Sequence, residues 1–323
     1  NHIRLERYTM LKVDRRLLVK VSQMYYIENM NQNEIASKFG INRTTVSKYL
    51  KKAMLAGIVQ ISVVNDLYEN LETALEKKFG LKEVYIVPSS SDPGEVKNNL
   101  GKAGIGYLKR IINDGDIVGF AWGTTIGALS NLASVEKCDI VNADMIPLVG
   151  GPENLDSEYH VNTIVYKVAN AFKAKSHYLY APAITGTTET KSAIMQDANC
   201  SKIVKLWDEV SITILGIGAP IRSSNLVWSG SFGKEYSRML EDAGVVGDIC
   251  SRFYDVGGNV VDTVLKDRTI AIDLEKLRDV KYSIGIASSP EKVPAIYGAM
   301  KGKFINVLIS DEKTAKLLID FAG

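Results

Sequence analysis

The stretch QNEIASKFGINRTTVSKYLKKAMLA, residues 32–56, contains two short amphipathic segments separated by a glycine. Asn31 precedes the first segment and Glu34 lies three residues later, which is the spacing of a helix capping box. Gly40 lies where the chain can take a left-handed turn without the steric cost of a Cβ atom. Asn42 is placed to cap the second segment. The stretch therefore predicts two helices joined by a tight turn, the helix-turn-helix arrangement.

Each predicted helix has one apolar face, formed by Ile35, Ala36 and Phe39 in the first helix and by Val46, Leu50 and Ala53 in the second. The opposite face of the second helix is rich in hydroxyl groups and cations: Arg43, Thr44, Thr45, Ser47, Lys48 and Lys51. Such side chains can bond to base edges and to phosphates, so this face is predicted to bind DNA. The alternative is an ordinary helical hairpin with a solvated cationic face.

The charge of the chain is distributed unevenly. Residues 1–57 contain 11 Lys and Arg against 4 Asp and Glu, and the remaining residues contain 28 against 33. A basic head on a larger acidic body indicates a nucleic-acid module attached to a second module. A length of 323 residues also favours two domains. We therefore predict a DNA-binding domain over residues 1–66, with a possible wing from the alternating stretch 58–63, and a second domain over residues 67–323.

From about residue 81, short apolar segments alternate with amphipathic ones. The predicted strands are EVYIV (83–87), IVGFA (117–121), MIPLV (145–149), HYLYAP (177–182), SITIL (211–215), YSIGIA (282–287) and INVLIS (305–310). Alternation of this kind predicts an α/β domain whose parallel sheet is covered by helices on both faces. A further predicted helix, residues 68–79, has a narrow apolar seam that can pack against this domain or support dimerisation.

Ligands bind at the carboxyl ends of the strands in such sheets, and three glycine-containing loops are placed there. In the first, Gly123, Thr124 and Thr125 follow a strand and begin a helix, where backbone N–H groups favour an anion such as phosphate. The alternative is that a threonine merely caps the helix. The other loops are the Gly150-Gly151 pair after MIPLV and the Gly216-Ile217-Gly218 turn after SITIL. Glycine turns are common, so structural turns are the favoured alternative for both loops.

Two charged residues complete the predicted ligand site. Asp248 lies in the segment VGDICSRFYD and could accept hydrogen bonds from sugar hydroxyls. Lys292 follows YSIGIA at a predicted helix start and could neutralise a phosphate, although a solvated charge is the alternative for both residues. The chain has no G-x-G-x-x-G, P-loop or H-E-x-x-H motif and no evident Ser–His–Asp spacing. We therefore expect no catalytic residues, no cofactor and no metal ion.

Cysteine usage and hydropathy bear on the compartment. Cys138, Cys200 and Cys250 are far apart in the sequence and are predicted to be buried thiols in a reducing compartment. No apolar run approaches the length needed to span a membrane, and no signal peptide is evident. A cytoplasmic protein with no membrane partner is expected.

Residues 32–61, QNEIASKFGINRTTVSKYLKKAMLAGIVQI, resemble the N-terminal signature of the SorC family of bacterial sugar-responsive transcriptional regulators. The later motifs WGTT, PLVGG, GIG and VGDICSRFYD, and the segment from Lys292 to Leu318, are similar to the effector-binding domain of that family and follow in the same order. The chain also resembles the deoxyribonucleoside-regulator branch. The resemblance covers nearly the whole chain from about Leu17.

The resemblance implies an effector domain related to glucosamine-6-phosphate deaminase and ribose-5-phosphate isomerase. It implies a tetramer, operator DNA as a partner, a phosphorylated sugar as effector, and control of a carbohydrate operon, most commonly as a repressor. The helix-turn-helix by itself favours a homo-oligomer that is at least a dimer, so dimer and tetramer both stay open. In the family, the residues that correspond to Thr124, Thr125 and Lys292 bind the phosphate of the effector. The residue that corresponds to Asp248 contacts hydroxyl groups of the effector.

Two departures from the pattern concern the effector. The deoxyribonucleoside branch places a lysine that bonds the effector covalently just before the Gly-Gly loop, and Val149 stands there in this chain. Ser288 and Ser289 stand where the family usually has two glycines, so extra side chains would change the pocket. The alternative to a regulator is a sugar-phosphate isomerase or deaminase with an accessory DNA-binding head. Asp248 is its only candidate general base, and the sequence shows no partner for it.

Overall fold

In a computed structural model of the protein, the structure describes residues 14–59, 68–152, 156–220 and 234–321. The chain divides into two compact units, residues 1–66 and 67–323. Each unit has its own apolar core.

The described part of the first unit, residues 14–59, contains three helices: α1 (Arg15–Tyr26), α2 (Gln32–Phe39) and α3 (Arg43–Leu55). Local sequence sets their ends as predicted. The Asn31 side chain accepts from the backbone N–H groups of Asn33 and Glu34, and the Glu34 carboxylate accepts from the Asn31 N–H at 2.8 Å. Gly40 ends α2 with φ +63°, and Asn42 caps α3. The two predicted helices and the turn between them are therefore present.

Residues from all three helices form the core of this unit. Val21 of α1, Ile35 of α2 and Val46 of α3 are fully buried, and Leu50 and Ala36 pack against them. The predicted wing strand, residues 58–63, falls largely outside the described residues. Its first two positions, residues 58 and 59, are described and do not form a strand.

The second unit is built on parallel strands, as predicted. Its strands are β1 (Glu83–Val87), β2 (Ile117–Phe120), β3 (Asp144–Pro147), β4 (Lys175–Ser176), β5 (Ile212–Gly216), β6 (Val245–Ile249), β7 (Arg252–Asp255), β8 (Tyr282–Ile286) and β9 (Val307–Asp311). Seven strands form one parallel sheet in the order β1-β9-β8-β5-β2-β3-β4, and β6 and β7 form an antiparallel hairpin. The central strands β2, β5 and β8 are almost entirely buried because helices cover both faces.

The helices described in this unit are α4 (Glu69–Phe79), α5 (Pro93–Ile111), α6 (Thr124–Ala133), α7 (Val161–Phe172), α8 (Thr188–Gln196), α9 (Ala198–Leu206), α10 (Lys234–Asp242), α11 (Leu274–Leu277), α12 (Val293–Lys301) and α13 (Glu312–Phe321). Short 3₁₀ turns occupy Ser157–Tyr159, Lys266–Arg268 and Pro290–Lys292.

Helix α4 uses its apolar seam within the unit. Leu75 is fully buried in the core of the sheet domain, with Leu71 and Phe79 packed beside it. Two glutamates of α4 accept hydrogen bonds from backbone N–H groups of the edge strand β1. The Glu76 carboxylate accepts from the Val84 N–H at 2.9 Å, and the Glu72 carboxylate accepts from the N–H of Ile86. Of the two uses predicted for this seam, packing against the domain is the one observed.

The prediction of a strand over residues 177–182 is wrong. Strand β4 consists only of Lys175–Ser176. Beyond β4, the Asn162 side chain makes the backbone hydrogen bonds that a neighbouring strand would make. Its amide oxygen accepts from the Leu179 N–H, and its amide nitrogen donates to the Leu179 carbonyl, both at 3.1 Å. The β6–β7 hairpin was not predicted.

Candidate functional site

Strands β2, β5 and β8 are neighbours at the centre of the sheet, so the loops at their carboxyl ends meet. They enclose a cavity of about 580 Å³, a volume typical of small-molecule sites. Most of the predicted ligand residues line it: Gly123, Thr124, Thr125, Gly216, Gly218, Asp248 and Lys292. Loops that are far apart in the sequence are therefore combined in one site by the strand order.

The start of helix α6 forms one wall of the cavity. Gly123 is the N-cap residue, with φ +128°, a backbone conformation that favours glycine. Thr124 and Thr125 are the first helical residues, and neither side chain caps the helix. Among the described residues, the backbone N–H groups of Thr124, Thr125 and Ile126 have no protein acceptor. The capping alternative is therefore wrong, and the cavity receives a helix start with free donors and half-buried hydroxyls.

Lys292 reaches the cavity from the turn after β8. Its Nζ donates a hydrogen bond to the backbone carbonyl of Ile217, beyond the end of β5, at 2.9 Å. Burial is the main cause that lowers the pKa of Lys292, and the positive charge of Lys97 adds to it. The carboxylates of Asp248 and Glu291 oppose this shift. An anion in the cavity would favour the ammonium form further, because it adds an opposite charge.

Asp248 enters the cavity from the β6–β7 hairpin. Its backbone N–H donates to the Gly218 carbonyl at 3.0 Å, and the Gly218 N–H donates back to the Asp248 carbonyl at 2.9 Å. This bridge attaches the hairpin to the loop after β5. The hairpin also requires Gly247, since a Cβ atom there would lie 2.5 Å from the ring of Tyr254. Asp248 is 7% exposed and thus presents a buried carboxylate to the ligand space.

Gly150 and Gly151 were predicted in the site, but the structure places them elsewhere, and neither lines the cavity. A Cβ atom at Gly150 would lie 2.2 Å from the carbonyl oxygen of Pro182, and one at Gly151 would lie 2.0 Å from His160 Nε2. His160 is the N-cap of α7, where its Nδ1 accepts from the Asn162 N–H. These glycines allow close packing, which explains the Gly-Gly pair without a ligand.

The two departures from the family pattern have clear positions. Val149 is fully buried and pairs with Ala271 away from the cavity, so no covalent chemistry with an effector is available there. Ser288 and Ser289 both line the cavity. Ser289 has φ +113°, and its backbone N–H donates to Thr314 Oγ1 at 2.8 Å. A serine side chain therefore occupies the wall at a backbone conformation that favours glycine.

Sequence reasoning missed several residues of the cavity. Lys97 lies on α5, Asp311 ends β9, and Lys313 lies in the first turn of α13, and all three line the site. Asp311 accepts from the Ser89 hydroxyl at 2.5 Å and from the Thr314 N–H. The position of Asp311 after an apolar strand was a usable signal. The sequence around Lys97 contains no such signal, because a lysine on an amphipathic helix is usually exposed to solvent.

The cationic face of α3 forms a second candidate site on the first unit. Arg43, Lys48 and Lys51 are exposed and make no ion pair within the described part of the chain. The hydroxyls of Thr44 and Thr45 each donate to Asn42 Oδ1 at 2.7 Å, so they are held at the start of the helix. Ser47 is half-buried. The structure therefore offers three free cations beside hydroxyl groups that can still accept hydrogen bonds.

Two further observations concern what the described residues contain. No group of three or more His, Cys, Asp or Glu side chains among them is arranged to hold a metal ion. Within the same ranges, no helix combines the length and the apolarity required to cross a lipid bilayer.

Comparison with known proteins relates both units to one family. Residues 66–320 match the family model described as "Putative sugar-binding domain". The chain is 40% identical over 311 residues to the sorbitol operon regulator of Klebsiella pneumoniae, covering 95% of this chain and 98% of that protein. It is 32% identical over 308 residues to the deoxyribonucleoside regulator of Bacillus subtilis strain 168, covering 94% and 97%.

A solved structure is similar to this chain over nearly its full length. The crystal structure of the full-length sorbitol operon regulator SorC from Klebsiella pneumoniae superposes with a TM-score of 0.74 at 39% identity, covering 95% of this chain and 99% of that one. These relatives are named as regulators and not as enzymes. The prediction of a transcriptional regulator is therefore confirmed over the alternative of an isomerase or deaminase. The chain belongs to the SorC family of sugar-responsive transcriptional regulators.

Proposed function

We propose that this regulator is controlled by a phosphorylated sugar or sugar alcohol bound in the cavity at the ends of β2, β5 and β8. The observation that carries the proposal is that the uncapped start of α6 and the ammonium of Lys292 line the same cavity. Free backbone N–H groups at a helix start and a lysine together suit a phosphate group. A compound without phosphate would leave these donors without an anion.

The rest of the cavity suits a polyhydroxy chain. Asp248 and Asp311 supply carboxylate acceptors, and Thr124 and Thr125 supply hydroxyls. Sugar hydroxyl groups can donate to the carboxylates and accept from the threonines. The name of the sorbitol operon regulator, together with its 40% identity to this chain, directs the choice of test compounds toward hexitol and hexose phosphates.

For the head, we propose that α3 binds operator DNA through Arg43, Lys48 and Lys51, with Thr44, Thr45 and Ser47 nearby. A single helix-turn-helix contacts too little DNA for the affinity that an operator requires, so the regulator should bind as a homo-oligomer, at least a dimer. Light scattering at micromolar concentration tests this, and a monomer both with and without DNA would contradict it.

We propose that the regulator acts in the cytoplasm as a repressor and that the effector relieves the repression.

A ligand screen tests the cavity assignment. The full chain is heated in the presence of sorbitol 6-phosphate, glucose 6-phosphate, fructose 6-phosphate or fructose 1-phosphate, of each parent compound without phosphate, and of inorganic phosphate. Ligands that bind the folded state raise the melting temperature by mass action. At least one phosphorylated compound should raise it more than its parent does. Equal shifts for phosphorylated and free compounds would contradict a phosphate site.

A further inference from the structure

The wall of the cavity contains three buried polar side-chain atoms that have no hydrogen-bond partner among the described residues. One is Ser289 Oγ, which belongs to a residue that lowers the pKa of the Glu291 carboxyl. The other two are Trp122 Nε1 and Ser251 Oγ. Both residues line the cavity, Trp122 after β2 and Ser251 in the turn between β6 and β7. Buried polar groups in folded proteins are nearly always paired, and an unpaired one costs free energy.

The turn that holds Ser251 is itself unusual. Ile249 pairs with Arg252, so Cys250 and Ser251 alone form the hairpin turn, with φ values of +53° and +62°. Such two-residue turns are normally made by Asn and Gly, because other residues strain the backbone there. Ser251 is only 2% exposed, whereas loops usually lie on the surface. The turn therefore combines a strained backbone with a buried hydroxyl that has no hydrogen-bond partner in the described part of the chain.

The neighbouring thiol does not supply an alternative explanation. Cys250 is 5% exposed, and burial raises its pKa far above the usual range, with the Asp248 carboxylate adding to the effect. The thiol therefore remains protonated and unreactive. Cys250 acts as a small apolar part of the wall between Asp248 and Ser251.

We propose that Ser251 Oγ and Trp122 Nε1 are specificity-determining groups that form hydrogen bonds with hydroxyl groups of the effector. This inference rests on the proposed function and extends it from the phosphate to the sugar chain. Ser251 and Trp122 both line the cavity, and a serine hydroxyl can occupy any of three staggered rotamers. Both groups are already shielded from water in the free protein. A ligand hydroxyl can therefore form a hydrogen bond with them without the desolvation cost of these groups.

The test uses Ser251→Ala and Trp122→Phe, which remove the hydroxyl and the indole N–H while keeping most of the side chain. The chain offers a matched control for each variant. Ser283 is buried and its hydroxyl donates to the Phe304 carbonyl at 2.6 Å, and Trp207 is buried and its Nε1 donates to the Pro147 carbonyl at 2.8 Å. The controls are therefore Ser283→Ala and Trp207→Phe, which lose bonds that the fold uses.

In the free protein, Ser251→Ala should melt at or above the wild-type temperature, whereas Ser283→Ala should melt lower. Trp122→Phe and Trp207→Phe both lose ring volume, so Trp122→Phe should lose less melting temperature than Trp207→Phe, which also loses a hydrogen bond. Ser251→Ala and Trp122→Phe should each weaken the tightest-binding sugar phosphate of the panel about fivefold to tenfold, the loss of one hydrogen bond. Their affinity for inorganic phosphate should be unchanged. A Ser251→Ala protein that melts below the wild type, a Trp122→Phe protein that loses as much as Trp207→Phe, or unaltered sugar phosphate affinity would overturn the corresponding assignment.

The outcomes also separate this inference from the proposed function. If inorganic phosphate binds the wild type as tightly as every sugar phosphate, the phosphate site stands and the hydroxyl groups are assigned wrongly. If neither inorganic phosphate nor any sugar phosphate binds, the proposed function fails and the inference fails with it.

Discussion

Lys292 and Ile217 join the ends of two neighbouring strands, because Lys292 Nζ donates to the Ile217 carbonyl at 2.9 Å. An ammonium group has three N–H donors, so this bond positions it and leaves two donors for a ligand. The lysine is thus held beside the cavity instead of extending into water. Effector binding therefore depends on the charge and the position of Lys292.

The first prediction concerns affinity. Lys292→Ala should weaken the sugar phosphate about tenfold or more, because a charge-assisted hydrogen bond contributes roughly 1.5–3 kcal/mol. Calorimetric titration measures the loss, and Lys301→Ala is the control, because Lys301 is an exposed lysine at the far end of α12, the helix that Lys292 precedes. DNA binding without effector should persist in both variants. An unaffected Lys292→Ala protein would show that the phosphate lies elsewhere.

The second prediction concerns pH. Burial lowers the pKa of Lys292, so the ammonium is lost at a lower pH than in an ordinary lysine. Effector affinity should therefore fall as pH rises through this lowered pKa, and binding in that range should take up protons. Affinity should also fall below about pH 6, where a phosphate monoester gains a proton. Titrations in buffers of different ionisation enthalpy measure the uptake.

Lys292→Arg is the matched variant for this pH dependence. Arginine stays charged, so the alkaline loss of affinity should move to higher pH even if the affinity itself is reduced. An alkaline profile identical to that of the wild type would exclude Lys292 as the titrating group.

The sequence predicted those parts of the structure that depend on residues close together in the chain. The caps at Asn31 and Asn42 and the strand-loop-helix at Gly123 are short-range patterns, so they could be identified without tertiary information. The strand order is not local. It places the ends of β2, β5 and β8 together and leaves the loop after β3 packed against Pro182 and His160. The prediction of Gly150-Gly151 as ligand contacts failed for this reason.

The β6–β7 hairpin shows a second limit. Two-residue hairpin turns are usually recognised by Asn-Gly or a similar pair, and here the turn is Cys250-Ser251. Propensity rules therefore gave no signal at the position where the chain adopts the turn. Residues that break local rules in this way are often found at functional sites, which agrees with the role inferred for Ser251.

The third prediction tests the packing role of Gly151. A Cβ atom there would lie 2.0 Å from His160 Nε2, so Gly151→Ala should destabilise the fold by about 1–3 kcal/mol. Effector affinity of the folded protein should change little. Adding His160→Ala should recover part of the lost melting temperature by removing the ring. If Gly151→Ala keeps its stability but loses effector binding, the glycine contacts ligand after all.

The fourth prediction concerns the head. Arg43→Ala and Lys48→Ala should weaken DNA binding and each lower the slope of log affinity against log salt by about one unit, since each removes a phosphate contact. Both side chains are exposed, so stability should be unchanged. Lys20→Ala, an exposed lysine on α1, is the control. Unchanged affinity and slope in both α3 variants would exclude α3 as the DNA-contacting helix.

The most direct test of the account is the effect of the effector on DNA binding by the full chain. An operator sequence is selected in vitro, and its affinity is measured by fluorescence anisotropy without ligand, with the tightest-binding sugar phosphate, and with the same compound lacking phosphate. We expect the phosphorylated compound to change the DNA affinity at least about fivefold, the lower end of usual coupling between sites, and the free compound to leave it unchanged. A DNA affinity that no bound sugar phosphate alters, or that the free compound alters equally, would contradict control through this cavity.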